Sequence, residues 1–133
     1  MIIKKIIIHC SATREGQDIS ADEIRGWHKA KGWSDIGYHY IIGLDGTIAK
    51  GREDNIPGAH CRGHNGNSLG ICYIGGVEED AKTPKDTRTD EQKESLETLL
   101  TVLKIQHPDA KVYGHRDFSP KACPSFDATE EYN

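Results

Sequence analysis

The 133-residue chain carries seven histidines and four cysteines, the side chains from which a metal site or an activated nucleophile would be built. It contains no Cys-x-x-Cys pair and no His-Glu-x-x-His run, so the spacings of zinc fingers, thioredoxins and helical metalloproteases are absent. Two histidines stand out by position. His9 closes the apolar run Ile6-Ile7-Ile8 and is followed by Cys10, Ser11 and Ala12, small residues that leave room for a ligand. His115 holds the analogous place after Val112-Tyr113, and Cys123 lies eight residues further on, in a segment stiffened by Pro120 and Pro124. Two imidazoles and a thiolate suit zinc, and three protein ligands leave the fourth tetrahedral position to water, the arrangement of a catalytic site. Spacing does not single out this set, because Cys10, Cys61 or His39 would satisfy the same chemistry.

The elements that must position these groups are legible from pattern. Ile2 to Ile8 is rich in β-branched residues with apolar side chains on both faces, which predicts a central strand ending at His9. Ser20 and Glu23 form a capping box for a helix from about Ala21 to Lys31, stopped by Gly32. Tyr38 to Ile42 and Ile48 to Lys50 flank Asp45-Gly46, a hairpin signal. Along the first of these strands, alternation sets His39 on the opposite side from Tyr38. Ser68 to Gly75 reads as a second buried strand. Thr89 and Gln92 open a helix whose Leu96, Leu99, Leu100 and Leu103 repeat at helical spacing, with Pro108 marking its end. Strands mixed with helices, one hairpin included, imply a single α/β domain over residues 1–133 around a mixed sheet flanked by helices.

Composition narrows the function. A formal charge of −4 argues against a nucleic-acid binder, which would carry a basic excess. Only three isoleucines separate Lys4 and Lys5 from His9, far short of a signal's apolar region or of the ~20 residues of a membrane span. The expectation is a chain made in the cytoplasm and kept there until another agent releases it, with no membrane partner. Without an export signal, Cys10, Cys61 and Cys72 are expected as buried thiols rather than disulfides.

The segments IIIHCSAT, WSDIGYHYIIGLDGTI, GAHCRGHNGNSLGI and GHRDFSPKACPSFD, four motifs in order from about Ile6 to Asp127, resemble the zinc-dependent N-acetylmuramoyl-L-alanine amidases of the type 2 family. The peptidoglycan recognition proteins belong to the same superfamily. This resemblance implies one zinc ion per chain on His9, His115 and Cys123, with Tyr38 and Lys121 as active-site groups. It places His60, Asn65 and Asn67 on a stretch that borders the substrate groove. His64 in the Gly63 to Ser68 loop is a further candidate contact. The implied reaction is hydrolysis of the amide between N-acetylmuramic acid and L-alanine in peptidoglycan, as in a phage- or prophage-type endolysin acting as a monomer. Asp117 is expected to brace the loop or a ligand.

Three other functions compete. A non-catalytic recognition module would bind peptidoglycan, but such relatives commonly lack the cysteine ligand, and this chain keeps Cys123 and Lys121. An intracellular recycling amidase would act on soluble muropeptides, but similar enzymes carry aspartate where Cys123 stands. Inhibition of a polymerase, a role of one phage relative, is set against a shorter N-terminal arm.

Overall fold

The computed structural model describes residues 2–133. The apolar run near the N-terminus forms β1 (Lys5–Cys10), in which Ile6, Ile7 and Ile8 are completely buried. Side chains on both faces of a strand can be apolar only where both faces are covered, and β1 lies inside the sheet. Its neighbours are β5 (Ser68–Tyr73) and β7 (Lys111–Gly114), both parallel to it. Beyond β5 come β3 (Tyr40–Ile42), parallel, and β4 (Ile48–Lys50), which pairs antiparallel with β3 through the Asp45-Gly46 turn. The sheet order is therefore β4-β3-β5-β1-β7. Two short strands, β2 (Thr13–Arg14) and β6 (Gly76–Val77), pair separately.

Helices cover both faces. The capping box of Ser20 and Glu23 opens α1 (Ala21–Ala30), whose Ile24 packs with Ile19, Ile36, Ile41 and Ile74. The box of Thr89 and Gln92 opens α2 (Asp90–Gln106). Its leucine stripe packs on the opposite face, against Ile6, Ile8, Leu69, Ile71 and Val112. Gln92 does more than cap: its fully buried amide donates to the carbonyls of Ile42 (3.3 Å) and Ile74 (3.0 Å), tying the helix start to the ends of two strands.

The structure differs from the sequence expectation at several boundaries. β1 starts at Lys5 and runs through His9 to Cys10, because β5 continues alongside as far as Tyr73. β5 stops at Tyr73, since Gly75 and Gly76 take positive φ. β3 begins at Tyr40, so Tyr38 and His39 precede the strand rather than lying within it. A short α3 (Ala128–Tyr132) follows the proline-containing loop. The buried Arg88 guanidinium anchors it by bonding Glu131 and the Tyr132 hydroxyl while lying 3.5 Å over the Phe126 ring. The Asn133 side chain then pairs with both backbone groups of Val112 on the outer edge of β7.

Replacing Gln92 by alanine strands the two strand-end carbonyls and removes half of the capping box, and is expected to cost about 2 kcal/mol of stability. Urea unfolding reads this directly; an unchanged midpoint would show that the amide bonds do not hold α2 to the sheet.

Candidate metal centre and cleft

Strand register builds the centre. Ile8 pairs with Gly114, the last residue of β7. His9 on β1 and His115, which opens the turn after β7, therefore lie side by side at the carboxyl edge of the parallel strands, with ring centroids 4.6 Å apart. Open α/β sheets bind ligands at that edge. Cys123 arrives from the following loop, which is pinned at three points. Arg116 N–H donates to the Cys123 carbonyl (2.7 Å), the Tyr73 hydroxyl to the Pro124 carbonyl (2.6 Å), and the Ser125 hydroxyl to the Gly76 carbonyl (2.8 Å). Asp117 braces the same loop by accepting from Gly114 N–H (3.0 Å) and the Thr129 hydroxyl (2.5 Å).

One ligand atom each of His9, His115 and Cys123 lie within 4.8 Å of one another. Among the described residues this is the one histidine, cysteine or carboxylate cluster of that kind. Tetrahedral zinc at 2.0–2.3 Å from nitrogen and sulfur sets donors about 3.3–3.8 Å apart, so small side-chain rotations close the set. The cluster holds no carboxylate, which disfavours magnesium and calcium.

The electrostatics suit a cation. Burial holds His9 well below the usual histidine range, helped by His60, His115 and Lys121. Burial and Lys121 lower His115 in the same direction. Both rings are therefore neutral, as ligands must be. A hydrogen bond with the Cys10 thiol, then burial, pushes the Cys123 thiol up, while its sulfur accepts the Cys10 backbone N–H at 3.1 Å, a bond that favours the thiolate.

Tyr38 and Lys121 flank this centre. The Tyr38 ring lies 5.1 Å from that of His9. Burial, then the thiols of Cys72, Cys123 and Cys10, raise its phenol well above the ordinary value, so it remains a proton donor. The exposed Lys121 is close enough to depress both histidines, and with His115 it lines a cleft of about 560 Å³. Trp33, His60, Arg62 and Phe118 are among the other residues of its walls.

The other sequence candidates separate. Asn65 lines the cleft, but its side-chain oxygen accepts from the N–H groups of His60 and Cys61, both at 3.0 Å. His64 stacks on Phe118 at 4.1 Å, joining the two walls. Asn67 accepts from Lys5 at 3.4 Å, at the opposite end of β1 from His9 and about 13 Å away along the strand. His39 is fully buried, with Nε2–H donating to the Ile56 carbonyl (2.8 Å) and Nδ1 accepting from Gly70 N–H (3.0 Å). It holds the 51–60 loop to β5. Its ring meets His60, which meets His9, which meets Tyr38, so all four rings form one set of contacts. Cys10, Cys61 and Cys72 are free, buried thiols. Sequence reasoning did not anticipate Trp33 and Arg62 in the cleft, nor the role of Gly70 in seating His60; a glycine inside a strand was the available sign of close approach.

Comparison with known proteins shows the family and the fold. The family model described as N-acetylmuramoyl-L-alanine amidase matches residues 1–126. The chain belongs to the N-acetylmuramoyl-L-alanine amidase family. It is 47% identical over 124 residues to the endolysin of Klebsiella phage KP32, covering 92% of this chain and 81% of that one. It is 44% identical over 122 residues to the endolysin of Escherichia phage T7, covering 92% and 80%. Among solved structures, the amidase LysC from Clostridium intestinale superposes with a TM-score of 0.82 at 30% identity, covering 97% of this chain and 80% of that one. Bumblebee PGRP-SA superposes at 0.81 and 30% identity, covering 98% and 80%. This chain is thus an amidase of the endolysin type. Among the described residues, no helix is long and apolar enough to cross a membrane.

Burial also lowers His28, His39 and His60, the last to about 3. With His9 and His115 these are groups whose folded pKa lies below the unfolded value of ~6.5, so below that pH the unfolded chain binds more protons. Stability of the metal-free protein should therefore fall as pH drops below about 6.5. Thermal unfolding between pH 7 and 5 tests this; a flat midpoint would mean the histidines are not buried as neutral rings.

Proposed function

We propose that residues 1–133 form one catalytic domain that hydrolyses the N-acetylmuramoyl-L-alanine amide of peptidoglycan with a zinc ion held by His9, His115 and Cys123. The observation that carries this reading is the gathering of three donor atoms within 4.8 Å at the carboxyl edge of β1 and β7, beside an open cleft. Bound by these three residues, zinc would supply Lewis acidity for activating water and polarising the substrate carbonyl.

The remaining work belongs to the chain. A thiolate and two neutral imidazoles around a dication leave a net charge near +1, so the carbonyl oxygen of the substrate needs further positive potential as charge develops on it. The Lys121 ammonium stands at the cleft wall to provide it. The Tyr38 phenol, kept protonated by burial beside the His9 ring, would donate a hydrogen bond to the same oxygen. Trp33 and Phe118 offer apolar surface for the sugar or lactyl group, and the exposed Arg62 offers charge to the carboxylates of a stem peptide. The protein acts on the cell wall after release from the cytoplasm and works as a monomer.

Lys121→Ala and Tyr38→Phe are each expected to lower kcat on a muropeptide about 10²-fold or more, equivalent to ~3 kcal/mol, with zinc retained. Steady-state kinetics with metal analysis of the same samples decides this. Near-normal turnover in either variant would remove that residue from the mechanism.

A further inference from the structure

We propose that His60 is a positioning residue that fixes the tautomer and ring orientation of His9, so that Nδ1 is the atom His9 presents to the metal. This rests on the zinc reading above and assigns His60 a role other than substrate contact.

A chain of hydrogen bonds sets the direction. The Ser68 hydroxyl lies 2.6 Å from the His64 carbonyl oxygen. A carbonyl only accepts, so the Ser68 proton is committed there. Ser68 Oγ is also 3.1 Å from His60 Nε2, and with its own proton spent it accepts from Nε2–H. A neutral imidazole carries one N–H, which leaves His60 Nδ1 as an acceptor. That nitrogen lies 2.8 Å from His9 Nε2, so His9 bears its proton on Nε2 and its bare lone pair on Nδ1. The backbone carbonyl at the far end cannot reverse its role, and the whole chain is fixed by it.

The fold builds a seat for this ring. A Cβ on Gly70, in the middle of β5, would sit 2.6 Å from His60 Cγ, and a Cβ on Gly58 would sit 2.6 Å from His60 Cδ2. Side chains at either position would displace the imidazole. From above, Asn65 grips the backbone N–H of His60, and the His39 ring meets it edge-on at 5.9 Å. Both His60 nitrogens are engaged within the protein, so neither is free to bond substrate. Histidine ligands whose distal nitrogen is held this way keep their orientation and gain basicity, and loss of the partner typically costs 10–100-fold in metal affinity.

The test is the zinc dissociation constant, measured by chelator competition for the wild type, His60→Ala and His60→Gln, alongside kcat and KM at saturating zinc. His60→Ala should weaken zinc about 10–100-fold. His60→Gln, whose side-chain oxygen can accept His9 Nε2–H, should recover most of that loss. KM should stay unchanged throughout. Unchanged zinc affinity with a raised KM would overturn the proposal in favour of substrate contact, as would a Gln variant no better than Ala. Long-range proton–nitrogen NMR of the zinc-loaded wild type gives a reading that needs no variant: His9 protonated on Nε2 is expected, and protonation on Nδ1 contradicts it. A wild-type protein that binds no zinc would instead defeat the zinc reading itself.

Discussion

The parallel pairing of β1 with β7 is the constraint on which the centre depends. Ile8 opposite Gly114 sets His9 beside His115 without any further adjustment, because neighbouring strands lie about 4.8 Å apart. A shift of one residue in that register would send one imidazole to the other face of the sheet. The register is in turn enforced by burial: Ile6, Ile7, Ile8 and Val112 are fully enclosed, and none could turn outward without exposing apolar surface. Much of the core therefore serves to hold two rings side by side. Gly114 adds a local condition, since a Cβ there would sit 2.8 Å from Pro124 Cδ and push away the loop that delivers Cys123.

Burial at this edge of the sheet has an electrostatic consequence as well. Enclosed imidazoles are disfavoured as cations, so they stay neutral and ready to coordinate, and Lys121 reinforces this from the cleft. The same enclosure keeps the Tyr38 phenol protonated and raises the Cys123 thiol. A metal dication held there would reverse the last of these effects by favouring the thiolate of Cys123. One environment thus holds two neutral imidazoles, a protonated phenol and a thiol that would ionise if a metal bound.

Much of this was legible in the sequence where it is local. Both capping boxes and the leucine stripe of α2 are short-range patterns, and the structure realises them within a residue or two. His9 at the end of an apolar run and His115 after Tyr113 were visible as candidates. Composition and spacing could not select them over His39 or Cys10, and the family motifs made that choice. What stayed hidden depends on contacts between distant segments. His39 looks like an active-site neighbour in the Gly-Tyr-His-Tyr motif, yet both its nitrogens are spent on backbone groups of other segments. Asn67 sits two residues from Asn65 in sequence, but the start of β5 carries it to Lys5, at the far end of the sheet from the metal ligands. The seat of His60 over Gly70 joins residues ten apart through a loop, and no periodicity encodes it.

The central claim, that this strand-edge cluster cleaves the sugar–peptide amide, is tested most directly by mass analysis of what the zinc-loaded protein and its Cys123→Ser variant release from purified sacculi. The account predicts free stem peptides beginning at L-alanine, uncut glycan strands, and no such release by the serine variant. Release of glycan fragments with the amide intact, or undiminished peptide release by Cys123→Ser, would contradict it.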